Sequence, residues 1–164
     1  MLNFVFSSPK DILLKAQRDL KALEDAISKQ DRILIGDCLF NFSVTVTSLK
    51  DWLKADSFLT PIKKDIENFF EQSIPLNTFR DIANAHKHRE ITRYVPLTHD
   101  VTASAMPTHA YAVSLSNPPR LIESAEPHFK LKIVRDNGSR YEVISLGSQA
   151  LDECSQFIAR HKVG

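Results

Sequence analysis

Apolar residues recur every three to four positions through the first half of the chain, a pattern that predicts amphipathic helices. The first helix is expected to begin after Ser8, with Pro9 at its first position and Asp11 completing a capping box. A second helix is expected from near Asp31 to about Lys54, because an apolar spine runs through that whole segment.

After Arg93 the pattern changes to β-branched and aromatic residues in partial alternation, which is typical of strands. The pair Asn137-Gly138 predicts a tight hairpin turn. Residues 115–127 are rich in proline and are expected to form a surface loop. An apolar stripe predicts a terminal helix over residues 147–164.

This order of elements predicts a single α+β domain. Pro61 and Pro75 mark the expected beginnings of a third and a fourth helix, so residues 8–91 should form an antiparallel four-helix bundle. A small antiparallel sheet should occupy residues 92–146, before the C-terminal helix. So small a sheet requires packing against helices to be stable.

Composition and charge narrow the function classes. The chain has 164 residues, 43% of them hydrophobic and 25% charged, as in ordinary soluble globular proteins. Because the formal net charge is only +1, any nucleic acid must be bound by a local patch.

The cysteines and the N-terminus indicate a cytoplasmic protein. Cys38 and Cys154 lie far apart beside apolar residues, so two buried thiols are expected rather than a disulfide or a metal site. The N-terminal residues lack the features of a signal peptide, and no segment is expected to span a membrane.

The second predicted helix carries a polar stripe on one face. Asp37, Asn41, Thr45 and Ser48 follow one another at intervals of three or four residues. Such a stripe either faces solvent or forms a satisfied network between helices.

The fourth predicted helix holds the most polar stretch, FRDIANAHKHRE at residues 79–90. Arg80, Asn84 and Lys87 share a face that is partly directed to the core. As a functional group they would form an anion site, with Arg80 clamping a phosphate, Asn84 hydrogen-bonding it and Lys87 adding a point charge. As a structural group, the cations at this helix end would interact with the helix dipole.

The two histidines of this stretch do not suggest a metal site. His86 and His88 lie on different sides of the helix, so the spacing of four residues that a helical zinc site needs is missing. The sequence therefore predicts no metal and no cofactor. His88 is a further candidate for substrate binding, together with Asn84 and Lys87.

Arg80-Asp81, a four-residue spacer and His86 resemble the motif of the HEPN superfamily (higher eukaryote and prokaryote nucleotide-binding domains). The resemblance implies a bundle of four or five helices, and in many members a metal-independent endoribonuclease that acts as a dimer. It implies that His86 moves a proton at the ribose 2′-hydroxyl or at the leaving oxygen. Arg80 would then stabilise the charge on the phosphate, and Asp81 would orient a partner.

A second resemblance rests on the segment IANAHKH, with the pattern Ile-Ala-Asn-x-x-Lys-His. It is similar to a signature of small uncharacterised bacterial helical proteins. That resemblance spans helices two to four and implies no established activity.

Three functions stay open at this point. The first is a HEPN-like ribonuclease or toxin-related RNA binder, which requires Arg80 and His86 to be exposed in a groove. The second is a non-catalytic dimeric interaction module, with Asn84 and Lys87 buried and bonded to helix two. The third is a protein that binds a nucleotide or another small molecule over Arg80, Asn84 and Lys87.

Overall fold

The computed structural model describes residues 5–87, 98–114 and 120–161, and they form an α+β fold. The helices among them are α1 (Pro9–Ser28), α2 (Arg32–Ala55), α3 (Lys63–Gln72), α4 (Ile74–Lys87) and α5 (Val143–Arg160), with a 3-10 helix at Ser57–Ile62. The strands are β1 (Thr98–Ser114), β2 (Arg120–Arg135) and β3 (Arg140–Glu142). The predicted fold class is confirmed.

Side-chain caps determine where the first two helices begin. The Asp11 backbone N–H donates to Ser8 Oγ at 3.3 Å, and the Asp11 carboxylate accepts from the Ser8 N–H at 2.9 Å, which completes the predicted capping box. Asp31 caps α2 by accepting from the backbone N–H groups of Ile33 and Leu34. Both predicted beginnings are confirmed.

The hydrophobic core lies where α1, α2, α4 and α5 meet. Phe42 of α2 and Phe79 of α4 are fully buried and pack edge to face, with ring centroids 4.8 Å apart. Gly147 lets α5 approach α1 closely, because a Cβ at this position would lie 2.5 Å from Leu20 Cδ1. The core is therefore built by helices from both ends of the chain.

Of the helices in the described part of the chain, α2 alone reaches the length and apolar composition of a membrane span, although no segment was expected to do so. In the structure α2 packs against α1, α3 and α4. Its residues Val46, Leu49 and Leu53 have no exposed surface. This packing suits the core helix of a soluble protein.

The three strands form one antiparallel sheet in the order β1-β2-β3. The turn between β2 and β3 contains Asn137 and Gly138, and Gly138 has a φ of +79°, which glycine adopts without strain. The predicted hairpin turn is confirmed. The sheet packs on the helices, with β2 against α1 and α5 and β1 against α4.

Side chains of β2 alternate between two faces near its end. Leu131, Ile133 and Arg135 are buried, whereas Lys132 and Val134 are half-buried. Because successive side chains of a strand point to opposite faces, the three buried residues lie on the face that packs on the helices. Arg135 therefore occupies a core-facing position.

The structure corrects the predicted surface loop. Residues 115–119 lie outside the described part, but β2 already begins at Arg120. Pro107 and Pro127 stand opposite each other in the β1/β2 register. A proline is tolerated on a strand whose other side is unpaired, and β3 pairs only with Lys132–Val134.

The predicted beginning of the terminal helix, at residue 147, was also wrong. α5 begins at Val143, because the Glu142 side chain caps it by accepting from the Ile144 and Ser145 N–H groups. Gly147 lies inside the helix instead of marking its start. β3 is correspondingly short.

Candidate functional site

Asp81 is a buried carboxylate on the sheet-facing side of α4. It is 2% exposed, and its Oδ2 accepts from the backbone N–H of Thr98 at 3.1 Å. Thr98 is the first residue of β1, so this bond joins α4 to the sheet. An ionised acceptor makes such a bond stronger than one between neutral groups.

Arg80 extends from this buried carboxylate towards the surface. Its Nη2 lies 3.5 Å from Asp81 Oδ1, and its side chain is 37% exposed. The ion pair restrains the guanidinium while part of it stays in contact with solvent. A restrained and accessible arginine is well suited to bind an oxyanion.

Two further polar side chains lie where α4 meets the sheet. Thr98 pairs with Arg135 in the β1/β2 register, and Arg135 is only 9% exposed. Within the described part of the chain, Thr98 Oγ1 and Arg135 Nε are buried and have no hydrogen-bond partner. We call the group of Arg80, Asp81, Thr98 and Arg135 the α4–sheet junction.

The remaining predicted site residues on α4 lie towards its C-terminal end. Asn84 is half-buried, one turn after Arg80. His86 and Lys87 belong to the last turn of the helix, but their side chains are not described, and His88 lies outside the described residues. Of the predicted site, the structure therefore brings together Arg80 and Asp81.

One residue of the polar stripe of α2, Thr45, forms a separate network with α1. The Thr45 hydroxyl donates to Asp19 Oδ2 at 2.6 Å and accepts from Lys15 Nζ at 2.8 Å, and Lys15 pairs with Asp19 at 2.5 Å. Asp37 and Asn41, the first two residues of the predicted polar stripe, are exposed. We call Lys15, Asp19 and Thr45 the α1–α2 network.

The two cysteines are free and buried, as predicted. Burial raises the pKa of the Cys154 thiol to about 12 and also raises the pKa of Cys38. Since the thiolate is the nucleophilic form, neither thiol suits nucleophilic catalysis. No group of three or more His, Cys, Asp or Glu that could hold a metal occurs in the described part.

Sequence reasoning missed Thr98 and Arg135. Arg135 could have been found from the alternation along the strand. It follows Leu131 and Ile133 at intervals of two residues, which places all three side chains on the same face of a strand that ends at a predicted turn. An arginine on the apolar side of a strand is uncommon unless it is paired. No comparable signal marks Thr98, because its position depends on the pairing of β1 with β2.

Comparisons with protein-family models, curated proteins and solved structures give no match to this chain. The resemblance of the α4 motif to HEPN domains therefore stays a prediction. The α4–sheet junction is the observation that bears on function.

Proposed function

We propose that the protein is a cytoplasmic, HEPN-like RNA-binding protein in which Arg80 contacts an RNA phosphate. The observation that supports this proposal is the ion pair between the part-exposed Arg80 and the buried Asp81. The carboxylate restrains the guanidinium, so less side-chain entropy is lost when a phosphate binds. Asp81 is thus a positioning residue, in line with the role that the resemblance implies for it.

The same site would support metal-independent cleavage if His86 reaches the bound ribose. His86 would take a proton from the 2′-hydroxyl or give one to the leaving oxygen. Arg80 would stabilise the charge that develops on the phosphate in the transition state. In a dimer, two copies of this motif would face one another across a shared cleft, with Asn84, Lys87 and His88 along its wall.

RNA binding and cleavage in the presence of EDTA test the proposal. Arg80→Ala should weaken binding by about tenfold, the range expected for a lost charged hydrogen bond, and should reduce the salt dependence. Arg18→Ala, which removes an exposed arginine of α1, is the matched control and should change little. If Arg80→Ala binds RNA as tightly as the wild type does, Arg80 is not the phosphate contact.

An assay of RNA cleavage distinguishes a ribonuclease from a protein that only binds RNA. A ribonuclease should cut RNA in EDTA and lose most of that activity in both Arg80→Ala and His86→Ala. Binding without any cleavage would instead define an RNA-binding protein. Cleavage that is equal in the wild type and both variants would come from a contaminant and would refute the catalytic form.

A second candidate function is a non-catalytic dimeric interaction module. It is favoured by the hydrogen bond from the Thr98 N–H to Asp81, which gives this polar residue of α4 a structural use. It is also favoured by Ile33, an apolar side chain that is 81% exposed at the beginning of α2. A wild-type dimer that Ile33→Asp dissociates, and that the control Ala22→Asp leaves intact, would support it, whereas a wild-type monomer would contradict it.

A further inference from the structure

Arg135 is a buried arginine that needs an acceptor. A guanidinium group carries up to five N–H donors and no acceptor. Arg135 lies on the helix-facing side of the sheet. Its Nε has no hydrogen-bond partner in the part of the chain that the structure describes. A buried charged donor without an acceptor is costly, so this position favours an oxygen-bearing anion.

Thr98 places a second donor beside Arg135. Directly opposed residues of an antiparallel pair have Cβ atoms about 5 Å apart and point to the same face. Thr98 Oγ1 is buried and, within the described part, has no partner of its own. The Thr98 N–H is bonded to Asp81, so Thr98 connects the strand position of Arg135 to the Arg80–Asp81 pair.

No carboxylate among the described residues is paired with Arg135. Asp136, the carboxylate next to Arg135 in sequence, is exposed and accepts from the Asn137 N–H in the turn. Asp81 already accepts from Thr98 and pairs with Arg80. Among the described residues, Arg135 itself forms no ion pair with a carboxylate, so its buried charge favours an added anion.

We infer that the α4–sheet junction binds a terminal phosphate group, with Arg135 and Thr98 as ligands beside Arg80. Because Arg135 is buried, the group must enter the junction end first. A phosphate at the end of an RNA chain, or free phosphate, fits this geometry better than an internal phosphodiester with a ribose on either side. This inference rests on the proposed function for its substrate class, namely RNA.

Thermal unfolding with inorganic phosphate tests the site without RNA. Phosphate should raise the wild-type Tm by several degrees more than chloride at equal ionic strength, since a ligand that binds the folded state stabilises it. Arg135→Gln should lose most of this rise, and the control Arg140→Gln, an exposed arginine of β3, should keep it. A full rise in Arg135→Gln, or equal effects of phosphate and chloride on the wild type, would overturn the inference.

Thr98→Val gives the same test in a variant that keeps the shape of the residue. It removes the hydroxyl but leaves the backbone bond to Asp81 in place. Its phosphate-induced rise in Tm should be clearly smaller than that of the wild type. If Arg135→Gln does not fold, a full response in Thr98→Val is sufficient to overturn the inference.

RNA oligonucleotides identify the source of the phosphate. An oligonucleotide with a 5′- or 3′-phosphate should bind about tenfold more tightly than its hydroxyl-ended counterpart, and Arg135→Gln should remove this difference. If termini make no difference to the wild type, the inference fails, while RNA binding through Arg80 can still hold. If no RNA binds but the phosphate response depends on Arg135, the proposed function fails and a free-phosphate site stands.

Discussion

Two polar groups lie inside this fold, and they differ in how completely their atoms are bonded. In the α1–α2 network, Thr45 both donates to Asp19 and accepts from Lys15. In the α4–sheet junction, Asp81 is bonded, but Thr98 Oγ1 and Arg135 Nε have no partner in the described part of the chain. The first group stabilises a helix pair, whereas the second retains hydrogen-bonding capacity for a ligand.

The difference follows from how each group is assembled. Lys15 and Asp19 are one turn apart on α1, so the helix itself places them together, and Thr45 completes the network from the facing helix. The junction draws on three elements, α4, β1 and β2. A group built from three elements depends on long-range packing, and its donors are not paired by local geometry.

The largest expected effect comes from removing the one carboxylate of the junction. Asp81→Ala should lower the free energy of unfolding by about 2–3 kcal/mol, because it leaves the part-buried Thr98 N–H without its Asp81 acceptor and removes the ion pair with Arg80. Urea unfolding measures this loss. Asp37→Ala removes an exposed carboxylate of α2 and should change stability by less than about 0.5 kcal/mol. Equal effects of the two substitutions would contradict the anchoring role of Asp81.

The α1–α2 network should lose less when its central hydroxyl is removed. Thr45→Val should destabilise the protein by about 1 kcal/mol, since Lys15 and Asp19 are partly exposed and can be hydrated afterwards. Thr47 is the matched control, because its hydroxyl bonds only to carbonyls of its own helix. Urea unfolding of Thr47→Val should therefore show a smaller change, and a change as large as that of Thr45→Val would argue against the network.

The sequence was sufficient for elements that are determined locally. The capping box at Ser8 and the turn at Gly138 were both predicted, because a few adjacent residues determine each. The start of α5 was missed because Gly147 was interpreted as a helix boundary, although it lies inside the helix at a close contact with Leu20. Local propensity gave no indication of that packing.

The residues of the α4–sheet junction also differ in whether the sequence alone could reveal them. Arg80 and Asp81 are adjacent on a helix, so the pair was visible in the sequence as a motif. Arg135 is connected to them only through the pairing of β1 with β2. The register of that pairing shifts between Thr98 and Asp100. Neither the register nor the irregularity can be derived from the sequence of one strand.

Cys154 is a third buried polar side chain to compare with these two groups. Its neutral thiol is buried without needing a hydrogen-bond partner. Burial raises its pKa from 9.0 to about 12, so the folded protein keeps a proton that the unfolded chain releases. This contribution to stability is complete below about pH 9 and is lost as the pH rises towards 12. At about pH 10 the expected loss is on the order of 1 kcal/mol, measured by urea unfolding relative to about pH 8.

Cys154→Ala is the reference for this pH dependence. Lysine and tyrosine residues titrate in the same range, and their contributions cancel when the two proteins are compared. The variant should lose less stability than the wild type between the two pH values. Parallel losses would mean that the thiol titrates at its ordinary pKa in the folded protein.

The smallest expected effect has the opposite sign. In phosphate-free buffer, Thr98→Val should raise stability by a few tenths of a kcal/mol, up to about 1 kcal/mol, because it replaces an unpartnered buried hydroxyl with a methyl group of similar size. Urea unfolding measures this gain. The same type of substitution at Thr45 should destabilise the protein, so the pair of signs tests the comparison between the two polar groups directly.

Adding phosphate should reverse which of the two proteins, the wild type or Thr98→Val, is the more stable. The wild type gains stability by binding the anion, and Thr98→Val gains less because one ligand to the anion is missing. Thr98→Val should therefore be the more stable protein without phosphate and the less stable one at saturating phosphate. A loss of stability in both buffers would show that the Thr98 hydroxyl has a structural partner, and the α4–sheet junction would then be a closed network like that of α1 and α2.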